Sequence, residues 1–384
     1  MTRAYLDHAS SSPLRPAALE AMLPFLAGNP ADPGRVHSDG RVTRVALEDA
    51  REAVATLLGA RPREVVFTAT GTEAVNTAVW GAVTRGTERR SGSRPRHVVT
   101  TAVEHSAVLE SCQRADVDLS VVGVDRAGRF ASDEVLAALR PETVLVSVQL
   151  ANHEVGTLQR AVSDIVAGTR EHGSLVHVDA CAAAGHVPID FAAIGADLCS
   201  VTAHKLGGPK GAAALLVRRG VRLPPFVVGG AQERARRAGI EDVPAIVGFG
   251  AAARELLTEG RLAEEATTAL AQTEELLETA RAVAGVTQLG DPTARLPHLV
   301  CLAVEGVEAE PVLLGLDQRG VAVHSGSSCS SETLEPSPVL AAMGVDAERS
   351  LRPSVGWSTT PADLAAFATA FPEVVGKLRA LRGR

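Results

Sequence analysis

The chain has 384 residues, 46% of them hydrophobic, 22% charged and 3% aromatic, with a formal net charge of -7. That length predicts two domains, and the composition excludes a disordered chain while leaving Ala, Val and Leu as the main packing material. The acidic balance argues against general nucleic-acid binding, which draws on a basic field, and Arg234-Ala235-Arg236-Arg237 and Arg89-Arg90 read as solvated loops.

From Val65 to Val217, short β-branched runs alternate with helix-like segments. The pattern predicts strands at Val65–Phe67, His97–Thr101, Leu119–Val124, Val144–Gln149, Leu175–Asp179, Leu198–Thr202 and Ala212–Val217. Amphipathic segments at Ser106–Arg114, Ser132–Arg140 and Val162–His172 fall between several of them, which predicts an α/β layer with a mostly parallel sheet. After Val243-Pro244 the texture changes. Ala245 to about Ala284 is rich in Ala, Glu and Leu and predicts long helices joining two lobes. A second α/β segment follows, with strands expected at Leu299–Val304, Val321–His324 and Leu351–Ser354. Helices are expected at Pro311–Arg319, Pro336–Met343 and Pro361–Leu381.

Cysteines stand at 112, 181, 199, 301 and 329, odd in number and without C-x-x-C spacing. Neither a disulfide framework nor a structural zinc site is expected, and free thiols suit a reducing cytosol. Met1–Asp7 lacks the apolar stretch of a signal peptide, and no run is long enough to span a membrane. The expectation is a soluble cytoplasmic protein with no membrane partner.

In parallel sheets ligands sit outside the carboxyl ends of the strands, and there the informative polar residues fall. Lys205 follows the strand Leu198–Thr202 and precedes the glycine-rich Leu206-Gly207-Gly208-Pro209. A lysine there is ordinarily a solvated charge, but partial desolvation lowers its pKa and favours the neutral nucleophile. Asp179 ends the apolar run Leu175–Val178 and needs a partner. An amine and a carboxylate at neighbouring strand ends are what pyridoxal phosphate requires, the one to condense with its aldehyde and the other to face its ring nitrogen.

Thr70-Gly71-Thr72 at a strand-to-helix junction offers a phosphate cradle, although Ser and Thr are also ordinary helix caps. Thr202 and His204 would add phosphate donors. His105, also at a strand end, is either structural or a ring-stacking acid and base. Arg352 interrupts a strand and is either a surface charge or a two-pronged clamp for a substrate carboxylate. Cys329 lies in Ser325-Gly326-Ser327-Ser328-Cys329-Ser330-Ser331-Glu332, a loop expected to be exposed and mobile, and divides evenly between reactive thiol and bystander. The other four cysteines are expected in the core.

Together, Tyr5-Leu6-Asp7, Glu104-His105-Ser106-Ala107-Val108, His177-Val178-Asp179-Ala180, Ala203 to Gly211, and Ser325 to Cys329 followed by Leu334-Glu335-Pro336-Ser337 resemble the cysteine desulfurases of the class V aminotransferase family. The resemblance runs over nearly the whole chain. It implies pyridoxal phosphate fold type I: a large domain with a mostly parallel sheet between helices, plus a smaller α/β C-terminal domain. The expected division is an N-terminal segment, 1-13, packing with the small domain; a large cofactor-binding domain, 14-250; and linker helices with the small domain carrying the cysteine loop, 251-384. Lys205 would hold the cofactor, Asp179 would pair with its nitrogen, and His105 would stack on the ring. Gly71, Thr72, Thr202 and His204 would hold the phosphate, and Arg352 would bind the carboxylate of L-cysteine. Cys329 would take the sulfur as a persulfide and pass it to an acceptor protein, such as a scaffold, a carrier or a tRNA-modifying enzyme. A homodimer is expected. Three positions depart from the pattern. His153 stands where an asparagine usually contacts cofactor and substrate, Ala182 where a glutamine is usual, and Ile240 where a threonine reaches the neighbouring subunit's phosphate. Each lost bond costs about 0.5–1.5 kcal/mol, so weaker cofactor retention or an altered rate is expected. The departures keep two alternatives open: a carbon–sulfur or selenocysteine lyase that releases its product directly, and a non-catalytic partner with degraded cofactor binding.

Overall fold

The computed structural model describes residues 3–89, 96–326 and 337–382. Its elements in chain order begin with strand β1 (Ala4–Tyr5), helices α1 (Pro16–Leu23) and α2 (Ser38–Leu57), β2 (Val65–Thr68) and α3 (Gly71–Arg89). Next come β3 (His97–Thr101), α4 (Ser106–Arg114), β4 (Asp118–Val122), α5 (Ser132–Ala137), β5 (Thr143–Gln149), α6 (Val162–Thr169) and β6 (Leu175–Asp179). They are followed by α7 (Phe191–Ile194), β7 (Leu198–Thr202), β8 (Ala213–Val217), the short turn α8 (Gln232–Ala235), α9 (Val243–Leu257) and α10 (Arg261–Arg281). The last are β9 (Val286–Leu289), β10 (Cys301–Val304), α11 (Ala309–Asp317), β11 (Val321–Ala322), β12 (His324–Ser325), α12 (Pro338–Ala342), β13 (Ser350–Arg352) and α13 (Pro361–Arg382).

The large sheet has the order β2-β8-β7-β6-β5-β3-β4. Its strands β7, β6, β5, β3 and β4 are parallel neighbours, and β8 runs antiparallel between β2 and β7. Therefore β2 points the same way as the parallel set. Successive side chains feed opposite faces: Val65 and Phe67, Val176 and Val178, Cys199 and Val201 enter one core with α2 and α9. Val66, Leu175 and Leu198 enter another with α3 and α4. Both faces are covered, which is why these strands read as near-continuous apolar runs.

A third core joins Ala4 and Leu6 to α10, α11 and α13. It lies on an antiparallel sheet of order β12-β13-β10-β9 and a two-stranded parallel sheet of β1 with β11. The expected strand Val321–His324 is thus two short strands in different sheets. Ser132–Arg140 stops at Ala137 as a helix, close to Pro141, a residue that disfavours helix in the position before it. No helix among the described residues is long and apolar enough to cross a membrane.

Candidate active site

Because β2, β3, β5, β6 and β7 share a direction, the segments leaving their carboxyl ends converge, and they line one cavity of about 360 Å³. From β2 come Thr70, Gly71 and Thr72; from β3, His105; from β5, Gln149 and His153; from β6, Asp179 and Cys181; from β7, Thr202, His204 and Lys205. Arg352, the last residue of β13, enters from the other sheet. The structure therefore gathers Gly71, Thr72, His105, His153, Asp179, Thr202, His204, Lys205 and Arg352, all singled out in the sequence, and Lys205 and Asp179 share this cavity. Cys329 lies outside the described residues.

Lys205 stands on a single helical turn, Ala203–Lys205, past the end of β7, and its carbonyl accepts from His186 Nε2 at 3.2 Å. The chain then reverses through Gly207, whose φ of +88° suits glycine. Thr202 Oγ1 lies 2.9 Å from His204 Nδ1. Burial, then the charges of Lys205 and Lys210, push the His204 pKa down to about 4, so its ring is neutral at neutral pH.

Asp179 Oδ1 accepts the backbone N–H of Cys181 at 3.0 Å. Burial works to raise its pKa, but His177, the Cys181 amide, His105 and the Cys181 thiol outweigh burial and hold it below the usual carboxylate range. His177 is bonded between Ser147 and Ser200, and burial lowers its pKa to about 4. Near pH 7 its ring is uncharged, which leaves the amide and thiol of Cys181 as important support for the Asp179 charge. Cys181 was expected in the core; it is half-buried and faces the cavity. A Cβ on Gly71 would come within 2.8 Å of its sulfur, so glycine is what lets the first turn of α3 approach β6.

His105 caps α4, its Nδ1 accepting the Ala107 N–H at 3.0 Å. That bond leaves the ring proton on Nε2 in the neutral form. The rings of His105 and His153 are tilted, with centroids 5.1 Å apart. Arg352 is buried: Nη1 donates to the His153 carbonyl at 2.8 Å and Nη2 to Ser10 Oγ at 2.7 Å, with Asp7 Oδ1 at 3.4 Å. Its Nε has no partner among the described residues. Ser10 and Asp7 were not foreseen as part of the site. Ala182 lines the cavity, and Ile240 is two-thirds exposed, at 67%.

Residues 4–367 match the model of the aminotransferase class-V family. The chain is 37% identical to the cysteine desulfurase IscS of Dictyoglomus turgidum, covering 98% of this chain and 95% of that one. Among solved structures, a NifS-like protein superposes with a TM-score of 0.88 at 28% identity, over 100% of both chains. SspA in complex with cysteine superposes with a TM-score of 0.80 at 30% identity, over 92% of this chain and 99% of that one.

Proposed function

Because the chain belongs to the aminotransferase class-V family, a pyridoxal phosphate-dependent family, we propose that it is a cysteine desulfurase. It would convert L-cysteine to L-alanine and leave the sulfur on Cys329 as a persulfide for an acceptor protein. The observation that carries this reading is the sharing of one cavity by Lys205, Asp179 and Arg352.

Pyridoxal phosphate fits the side chains present. Lys205 offers the condensing amine, Asp179 the anion for the ring nitrogen and His105 a ring to stack. The exposed amides at the start of α3, with Thr72, Thr202 and His204, suit a phosphate. When bound, the cofactor supplies an electron sink for charge developing at the substrate Cα.

The remaining work falls to the chain. The Lys205 amine takes and returns the Cα proton. Asp179 keeps its charge toward the ring nitrogen. Arg352, already fixed by the His153 carbonyl and Ser10, offers its guanidinium to the substrate carboxylate. His105, with Nδ1 committed to Ala107, carries protons through Nε2. The assignment of Cys329 rests on its sequence motif and the resemblance. Its thiolate attacks the substrate sulfur; an S–S bond forms, the C–S bond breaks, and the electron pair passes to Cβ, which takes up a proton on the way to alanine. His153 still offers a hydrogen bond in place of asparagine, whereas Ala182 and Ile240 offer none through their side chains, so cofactor retention is weaker than the family pattern implies.

We further propose the division into 1-13, 14-250 and 251-384, supported by the pairing of β1 with β11. A homodimer and a cytoplasmic location complete the reading, the latter supported by the free cysteines among the described residues. After incubation with pyridoxal phosphate and L-cysteine, mass spectrometry is expected to find one added sulfur on Cys329. Alanine formation at wild-type rate by Cys329→Ala would overturn the mechanism.

A further inference from the structure

Beside the cavity lies a second buried carboxyl that the desulfurase reading leaves without a task. Glu104 is 3% exposed, in the turn between β3 and α4. Its Oε1 accepts the Thr101 hydroxyl at 2.5 Å and the Gln149 N–H at 3.1 Å. One oxygen therefore ties the end of β3 to the end of β5, immediately before His105. Among the described residues its other oxygen, Oε2, is buried without a partner, as is Nε2 of Gln149. Among the described residues no cation is bonded to it. An ionised carboxylate is costly in such a place, where half its lone pairs meet neither water nor a donor.

Asp179 has the opposite setting. It is register-paired with Gln149 on the adjacent strand, faces the cavity and holds the Cys181 amide. We infer that Glu104 and Asp179 form an unequal carboxyl pair, in which Glu104 is the neutral member and serves as the positioning residue for His105. Two nearby carboxyls whose surroundings favour opposite protonation states take different roles.

The groups facing Glu104 agree with this assignment. Asp179 comes from β6 and adds a like charge; Cys112 comes from α4, its thiol pushed up to about 12 by burial and then by Glu104. From β5 comes only the neutral Gln149, and on its own turn stands His105. Burial, opposed by the Thr101 bond and reinforced by Asp179, pushes the Glu104 pKa up to about 8. Between its ordinary value of 4.5 and about 8 the folded chain holds a proton that the unfolded chain has released. Unfolding in that window releases a proton, so the contribution of Glu104 to stability is present at low pH and is lost as pH rises.

The test uses the cofactor-free chain, so it succeeds or fails independently of the desulfurase reading. At neutral pH the infrared spectrum is expected to show a protonated carboxylic-acid band that Glu104→Gln removes. From about pH 6 to about pH 9 the urea midpoint of the wild type is expected to fall relative to that of Glu104→Gln. The ring signal of His105 in NMR should show a step near pH 8 in the wild type, apart from the ring's own titration, that the variant lacks. Glu104→Leu, which keeps the volume without a charge, repeats the infrared comparison if Glu104→Gln fails to fold. A band unchanged by either substitution, or a His105 signal indifferent to Glu104, would overturn the inference.

Discussion

Two groups of Cys181 act on Asp179: its N–H donates to Oδ1 at 3.0 Å, and its thiol helps hold the carboxylate below its usual range. A thiol is a weak donor, so its support of a charged acceptor belongs no higher than the low end of the range for a hydrogen bond, about 0.5–1.5 kcal/mol. Cys181→Ala keeps the amide and loses the thiol; it is expected to weaken pyridoxal phosphate binding by about 2- to 10-fold. Cys181→Ser, with a stronger donor of similar size, should restore binding. Absorbance titration of the cofactor-free variants checks this, and equal affinities for the Ser and Ala variants would rule out a role for the thiol. Residue patterns make part of this site readable in the sequence. Asp179, Lys205, Thr72 and His105 each follow an apolar run, and a polar residue at such an end has few places to go other than the ligand edge. Cys181 opens Cys181-Ala182-Ala183-Ala184, a run of core-like residues, and only the path of the turn after β6 shows that its side chain faces inward. Ser10 and Asp7 hold Arg352 across more than three hundred residues, a pairing that no local pattern encodes.

At the scale of elements, α8 is the strained one. Glu233, Arg234 and Ala235 have φ values of 48°, 59° and 61°, a left-handed conformation in three successive residues with side chains. Each such residue costs about 1–2 kcal/mol. What holds the turn is the Glu233 carboxylate, which accepts two bonds from Arg51 at 2.7 Å and the Phe67 N–H at 2.9 Å. Arg51 in turn donates to the Val65 carbonyl and lies over the Phe67 ring, so α2, β2 and α8 meet at one buried ion pair. Glu233→Ala leaves the buried guanidinium with the partly exposed Glu48 carboxylate, 3.1 Å from its Nε, as its partner and is expected to destabilise the chain by up to about 3–5 kcal/mol, read as a lower urea midpoint. A change below about 1 kcal/mol would mean that the turn is held by other contacts. No sequence signal marks this turn, since Gln-Glu-Arg-Ala favours a right-handed helix and only the buried pair reverses it. The central strands are different: His97–Thr101, Leu175–Asp179 and Leu198–Thr202 are buried on both faces, and their apolar runs show them end to end. β9 escapes detection because it is an edge strand, largely half-exposed, with the mixed sequence Val-Thr-Gln-Leu.

For the whole molecule, the question is what covers its outer apolar residues. Helices α1 and α2 both pack on α9, burying Ala18 from the first and Leu47, Ala50 and Val54 from the second. Yet Leu19, Leu23 and Leu26, with Val36, Val42 and Val45, remain about half exposed or more. Scattered apolar residues on a surface are ordinary, but six within one N-terminal stretch, on α1, α2 and the segment joining them, mark a surface that gains from a partner. A second copy of this chain is the partner that the family reading supplies, through a two-fold contact in which each copy presents the same helices. Light scattering is expected to give twice the chain mass. Leu23→Asp combined with Leu26→Asp, which places two charges on that surface without touching the core side of α1, is expected to shift the mass toward the monomer. A wild-type monomer at working concentration would overturn the dimer itself. A variant that stays fully dimeric would place the contact away from α1, and Val228 and Ile240, both exposed on the segment flanking α8, would then be the residues to charge next.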